Sequence, residues 1–218
     1  MKKCALVFLA ISSVFISCKK DDDASGSQPD DIKASAYFPM TVGSYWIYEN
    51  YRIYENYRID TNGVETKANH LDSVYISKDT MLNGKKYYVF TSPPSNPDLN
   101  RIMRDSSDHL VNTKGEILFA PNDFTDPLET YLEMLSSTDT FYTGVGRMEK
   151  LTNKVETTLG SFEALRFRKS FTIVPKVVLQ NRDLSEFRTA NIGTIINQTA
   201  SATNPAIFES RLIRYHLN

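Results

Sequence analysis

Along most of the chain, apolar and polar positions alternate over short runs, and turn residues end each run after a few positions. Asn62-Gly63 and Asn83-Gly84 carry the residue pair that supplies positive φ at the tip of a tight hairpin. Lys114-Gly115 separates Leu110–Thr113 from Glu116–Ala120 in the same style. Lys86–Thr91 is a short aromatic and β-branched run, and Pro93, Pro94 and Pro97 mark the loop after it. Asn153 and Gly160 punctuate Val145–Leu159, Phe162–Val174 alternates loosely as a long strand, and Ile207–Leu217 reads as a closing strand. Asn181–Pro205 is polar and rich in Thr and Asn, and reads as a long excursion from the sheet. One segment has helical spacing. In Asp126–Ser136, Asp126 is a candidate N-cap, Pro127 sits at the first helical position and Glu129 lies three after the cap, with Leu128, Tyr131, Leu132 and Leu135 on one face. Many short strands joined by turns predict an all-β protein, a single antiparallel sandwich or half-open barrel with one short helix.

The hexapeptide IYENYR is written twice in succession, Ile47–Arg52 and Ile53–Arg58. Composition favours a strand, since the stretch is Tyr, Ile, Trp, Arg, Asn and Glu without Ala or Leu. Read with period two, Tyr45, Ile47, Glu49, Tyr51, Ile53, Glu55, Tyr57 and Ile59 form one face, predicted to meet the core at its ends. Trp46, Tyr48, Asn50, Arg52, Tyr54, Asn56 and Arg58 form the other, predicted to face solvent. Six is even, so the duplication leaves every later side chain on its original face, where an odd insertion would invert them. A continuous strand from Tyr45 to Asp60 would run roughly 50 Å at about 3.3 Å per residue, longer than its expected partner Leu71–Asp79. The extra copy is therefore expected to extend a hairpin past the sheet or to bend at a bulge.

The N-terminus changes the picture from a free domain to an anchored one. Met1-Lys2-Lys3 is followed by thirteen apolar-rich residues, Cys4–Ile16, too short to span a bilayer and the length of a signal-peptide core. The run ends in Phe15-Ile16-Ser17-Cys18, which resembles a bacterial lipobox with Phe15 where Leu is usual. This implies acylation of Cys18, with palmitate-class chains. Lys19-Lys20-Asp21-Asp22-Asp23 resembles the surface-export signal of Bacteroidota lipoproteins. The expected organisation is a signal peptide over residues 1–17, a lipidated Cys and tether over 18–36, and an all-β domain over 37–218. The stretch from Asp21 to Ala36 is polar enough to behave as a coil with an end-to-end distance of about 20–25 Å.

Composition mostly excludes. The two cysteines, Cys4 and Cys18, both lie outside the predicted domain, which rules out a disulfide, a Cys-ligated metal or a Cys nucleophile there. Removing Lys2 and Lys3 from the 25 basic residues leaves 23 against 26 acidic ones, a net charge of about −3. No basic stripe is present, so nucleic acid is not an expected partner. His70, His109 and His216 are far apart and not at metal-ligand spacing. No nucleophile elbow, phosphate-cradling glycine loop or His-Glu-x-x-His appears. Asp105-Ser106-Ser107-Asp108 reads as a turn. A glycosidase drawing its two acids from separate strands has no pair singled out. No cofactor and no metal are expected.

The stretch Tyr37-Phe38-Pro39-Met40-Thr41-Val42-Gly43-Ser44-Tyr45-Trp46-Ile47-Tyr48 resembles the opening of a group of uncharacterised Bacteroidota lipoproteins, with Met40 in place of Leu. Gly160-Ser161-Phe162-Glu163-Ala164-Leu165-Arg166-Phe167 resembles their Gly-x-Phe strand start, and Ile192-Gly193-Thr194-Ile195 their segment before the last strand. Asp72-Ser73-Val74 and Asp79-Thr80-Met81 resemble the O-glycosylation pattern of that phylum. The resemblance implies fold and location and no activity. The expectation is a non-catalytic binding protein, held at the outer membrane through its lipid and exposed on the cell surface, with a glycan or protein ligand. Trp46, Tyr48, Arg52 and Tyr54 are the candidate contact residues. Two alternatives stand beside it: an envelope glycan hydrolase, and a periplasm-facing carrier or assembly factor with an apolar cavity in a half-open barrel.

Overall fold

The computed structural model describes residues 33–54, 65–92, 101–106, 108–174, 181–200 and 206–218, the side chains of 52–54 and 69 excepted. The described residues all belong to one compact unit, Asp31–Asn218. Cys18 and the charged run Lys19–Asp23 lie outside them, as do the Asn62-Gly63 turn and the Pro93–Pro97 loop.

Hairpin chemistry sets the topology. Asn83 and Gly84 both have positive φ, 51° and 71°, the mirror-image turn that matches the twist of its flanking strands. They join β2 (Glu65–Leu82) to β3 (Lys85–Thr91). The same logic continues outward through β4 (Arg101–Ser106), β5 (His109–Asn112) and β6 (Ile117–Phe119), with Asp108 and Gly115 at positive φ in the last two turns. The second half runs back from the other edge: β7 (Glu129–Met134), β8 (Thr140–Lys150), β11 (Leu165–Ile173), β12 (Arg182–Thr189), β13 (Gly193–Ala200) and β14 (Ala206–His216). A small hairpin of β9 (Val155–Thr157) and β10 (Gly160–Phe162) stands between β8 and β11. β1 (Tyr45–Tyr54) pairs with β2 on one side and β14 on the other, which closes the two halves into one twelve-stranded antiparallel sheet.

The sheet curls into a nearly closed barrel. Phe119, on the edge strand β6, packs at 6.2 Å from Phe38 and under the Arg188 guanidinium of β12 at 4.6 Å, so distant strands of the ladder meet through the interior. A single 3₁₀ turn, Ala34–Tyr37, closes one end. Ala34 is fully buried, Ala36 packs against the core, and the Ala36 carbonyl accepts from Asn191 N–H at 2.6 Å. Packing thus begins inside the stretch that the sequence reads as tether. Gly193 sits at φ +106° beside the Trp46 indole nitrogen and the Tyr37 carbonyl, a position where backbone freedom and close approach coincide.

Four expectations are corrected. The predicted helix over Asp126–Ser136 is absent, and no α-helix occurs among the described residues. Asp123, not Asp126, does the capping: its carboxylate accepts from the amides of Thr125 and Asp126 and closes a turn. The chain then enters β7, where Tyr131 packs at 5.2 Å on Phe171 while Leu132 is 65% exposed. Pairing with β8 overrides the 3.6-residue pattern, because it satisfies the edge backbone and buries Tyr131 at once. Second, the polar excursion 181–205 contains β12 and β13, two interior strands of the sheet, and its Glu186 and Arg188 are buried as an ion pair. Third, β2 is eighteen residues long, twice the expected partner of the doubled strand. The long strand expected over Phe162–Val174 is present as β11, Leu165–Ile173, with Phe162 falling at the end of β10.

The fourth correction concerns β1 itself. Trp46 (4% exposed), Tyr48 (7%) and Asn50 face the interior, and Tyr45, Ile47, Glu49 and Tyr51 form the outer, half-exposed face. The predicted faces are inverted. The outer face is the charged one: Glu49 pairs with Lys67, and Arg211 stacks over Tyr51 while forking onto Glu65 at 2.9 and 3.0 Å. β1 bends as expected of an overlong strand, with register breaks against β14 at Ile47/Tyr48 and against β2 between Glu49 and Tyr51.

Gly144 and Gly146 of β8 make room for rings from β11. A Cβ on Gly146 would lie 2.7 Å from the Phe167 ring, and one on Gly144 2.8 Å from the Phe171 ring. Gly146→Ala is therefore expected to destabilise by about 1–3 kcal/mol through overpacking, a fall in melting temperature of roughly 3–10 °C for a domain of this size. A thermal melt followed by circular dichroism checks it, and an unchanged midpoint would show that Phe167 moves aside freely.

Candidate functional site

The curl leaves a small cavity of about 60 Å³, open to solvent, on the concave side of the sheet. Period-two alternation puts its residues there: Trp46 and Tyr48 from β1, Val74 from β2, Phe90 from β3, Met103 and Arg101 from β4. Glu186 of β12, Asn197 of β13 and Ser210 of β14 line the opposite side.

One wall is aromatic and its polar handles are already used. Trp46 Nε1 donates to the Ile192 carbonyl at 2.6 Å, and the Tyr48 hydroxyl donates to the Thr194 carbonyl at 3.1 Å. Trp46 stacks with Phe90 at 6.2 Å, and Phe38 meets Phe90 edge-on at 6.1 Å. Burial, reinforced by the Glu186 charge, pushes the Tyr48 hydroxyl well above the ordinary tyrosine range, so it stays a neutral donor. What this wall offers an occupant is apolar surface.

The facing wall is charged but mostly self-satisfied. Glu186 Oε1 accepts from Arg188 Nε and from the Thr194 hydroxyl, each at 2.9 Å, and Glu186 Oε2 lies 2.7 Å from Arg188 Nη2. Burial alone pushes the Glu186 carboxyl up. The positive charges of Arg188 and then Arg101 overcome this and hold it at about 2. Arg188 is 1% exposed, with its guanidinium 4.0 Å from the Phe38 ring centroid and 4.6 Å from that of Phe119. Burial lowers its pKa, and Glu186 opposes the shift. Arg188 Nη1 has no hydrogen-bond partner among the described residues. Behind this wall, Asn50 donates to Asp72 Oδ2 at 3.0 Å and accepts from the Ser210 hydroxyl. A second cavity, about 100 Å³, is lined by Phe141, Tyr142, Phe171, Ile173, Arg182 and Leu184. Arg182 and Leu184 share the inward face of β12 with Glu186.

Of the candidate contact residues, Trp46 and Tyr48 line the cavity rather than an outer surface, and the side chains of Arg52 and Tyr54 lie outside the described residues. His70, His109 and His216 sit on three different strands, His216 stacked on Tyr45 at 5.6 Å, and no cluster of metal-ligating side chains occurs among the described residues. Asp72 of the first glycosylation-like pattern is buried, and Asp79 of the second is engaged by Lys86 at 2.6 Å. Sequence reasoning missed Arg101, Glu186 and Arg188. A signal existed for the last two: Leu184, Glu186 and Arg188 alternate with Asp183, Ser185 and Phe187, a period-two strand pattern with charges on its apolar face.

No protein-family model and no curated protein matches the chain. Among solved structures it is similar to a "putative exported protein with YmcC-like fold" from Bacteroides fragilis NCTC 9343, at 11% identity over 82% of this chain and 98% of that one, with a TM-score of 0.41. It is also similar to a "putative lipoprotein" from Parabacteroides distasonis ATCC 8503, at 14% identity over 83% of this chain and 98% of that one, with a TM-score of 0.34.

Proposed function

We propose that the protein is a non-catalytic, lipid-anchored binding protein of the outer membrane, displayed on the cell surface, that takes the apolar part of an amphiphilic ligand into its half-open barrel. The anchoring and display rest on the lipobox-like Phe15–Cys18 and the charged run Lys19–Asp23. The binding role rests on one observation: a cavity open to solvent, with an aromatic wall whose polar handles are spent on backbone carbonyls. A sugar needs many free hydrogen-bonding groups around it, and this wall has few to give. A hydrocarbon chain or ring needs apolar area, worth about 25 cal/mol per Å² removed from water. The hydrolase alternative lacks a proton donor among the described lining residues, because Glu186 is held ionised down to about pH 2 and is the one carboxylate among them.

Trp46 is the sole tryptophan and lines the cavity, so its fluorescence reports occupancy. The core among the described residues lies within Asp31–Asn218, so residues 19–218 are the chain to titrate. Titration of that chain with a vicinally dibrominated dodecanol, a contact quencher, is expected to quench Trp46 saturably at micromolar concentration. Absence of saturable quenching up to the solubility limit refutes the reading. A response to glycan fragments instead moves the ligand class to sugars.

A further inference from the structure

One cation lining the cavity has no hydrogen-bond or ion-pair partner among the described residues. Arg101, the first residue of β4, lines the aromatic pocket and is the register partner of Phe90 on β3. It is half-buried, and its side chain makes no hydrogen bond and no ion pair with any described residue, though its charge reaches Glu186 and Tyr48. The carboxylate nearest in charge to it, Glu186, is already engaged on both oxygens by Arg188, with Thr194 adding a second bond to one of them. Asp72, the other buried acid on this side, accepts from Asn50 and does not line the cavity. The remaining polar liners, Asn197 and Ser210, are neutral.

A guanidinium has five donors and no acceptor, and in a cavity of reduced dielectric its charge-assisted bonds to a carboxylate or phosphate are about twice as strong as neutral ones. Half-burying such a group without a partner among the described residues carries a desolvation cost that an anion in the cavity would offset. The spent carboxylate argues against a cationic head, since Glu186 would have to release Arg188, which is 1% exposed and has nowhere else to put its charge.

We infer that the cavity selects amphiphiles with an anionic head, a carboxylate or a phosphate, with Arg101 as the head's partner and the rings of Trp46, Tyr48 and Phe90 against the apolar body. This rests on the amphiphile reading above. Placing the head at Arg101 puts the chain against the aromatic wall, so both walls are used by one ligand.

The test is competition against dibrominated dodecanol on residues 19–218, read by recovery of Trp46 fluorescence. Dodecanoate and dodecyl phosphate are compared with dodecanol, which has the same chain and a neutral head. At least one anionic probe is expected to compete ten-fold or more better than dodecanol, and which one does so identifies the head. Arg101→Gln is expected to erase that preference while leaving the affinity for dodecanol within about two-fold. Arg101→Lys is expected to keep part of it, since a point charge replaces the fork. No described residue bonds to Arg101, so neither variant orphans a buried partner, and a thermal melt confirms that both are folded. Equal competition by acid and alcohol overturns the inference while leaving the amphiphile reading intact, as does a preference that survives Arg101→Gln. Failure of every probe, dodecanol included, overturns both.

Discussion

Arg188→Leu is expected to destabilise the domain by about 3–5 kcal/mol, the largest effect of any single substitution proposed here, because it strands Glu186 inside the barrel without its counter-charge. The pair sits where water cannot help: Arg188 is 1% exposed, its side chain lies between two phenylalanine rings, and the Glu186 side chain is 8% exposed. Replacing both, as Glu186→Leu with Arg188→Met, is expected to recover most of that loss. A flexible thioether fills the slot between Phe38 and Phe119, and no buried charge remains.

The same pair predicts a reversal of pH dependence. In the native protein the Glu186 carboxyl is held from its ordinary value of 4.5 down to about 2. A depressed acid contributes stability that is fully present above its unfolded value and is lost as pH falls through the folded one. Native stability is therefore expected to fall between pH 4.5 and 2, by a few kcal/mol from this group. In Arg188→Leu, burial acts on Glu186 with Arg101 and the weaker Lys169 charge opposing it, and its pKa is expected to rise above the ordinary range. A raised acid destabilises when ionised, so that variant is expected to gain stability as pH drops from 7 towards 4. Urea titrations at three pH values measure both slopes. Parallel slopes for the two proteins would show that Arg188 does not set the state of Glu186.

The fold class was legible because turn chemistry is local. Asn83-Gly84 and Lys114-Gly115 announce their hairpins whatever surrounds them, and a run of such signals leaves little but an antiparallel sheet. What failed was every judgement that depended on which side of a strand faces the barrel. Trp46, Tyr48 and Asn50 were assigned to solvent because Asn50 and Arg52 make that face look polar. In fact Asn50 is buried by bonding Asp72 and Ser210 across strands that the sequence does not show to be neighbours. Asn181–Pro205 reads as an excursion from the sheet for the same reason. Glu186 and Arg188 read as surface residues one at a time and as a buried pair only when β12 is placed in the middle of the sheet. Arg101 carries no local signal at all, since its significance lies in what it does not bond. Polar residues misread in this way make up one wall of the cavity, so the site was less legible than the fold.

Deleting the second copy of the hexapeptide, residues 53–58, is expected to change stability by less than about 1 kcal/mol, whereas deleting Ile47 alone is expected to unfold the domain. The comparison isolates parity from length. With residues 53–58 removed, Ile59 follows Arg52 as Ile53 does now, so the Ile53↔Ile207 pairing with β14 is rebuilt with the same side chain, and Trp46, Tyr48 and Asn50 keep their inward positions. Removing one residue between Trp46 and Tyr48 sets those two side chains on opposite faces. Whichever way the strand then settles, either the tryptophan or the tyrosine leaves the core, and truncating a large buried aromatic costs about 3–5 kcal/mol on its own. The Asn50 pairing with Asp72 and Ser210 would also break if Tyr48 and Asn50 are the ones displaced, leaving buried polar groups unpaired at about 1–3 kcal/mol each. The register breaks already in β1 do not rescue it. Against β14 the extra residue is Ile213, on the partner strand, so shortening β1 widens that mismatch. The measurement is Trp46 fluorescence and urea stability of both deletions beside the parent chain. Loss of folding in the six-residue deletion would show that the second copy is a structural part of the barrel rather than a length of strand that even parity allows the sheet to carry.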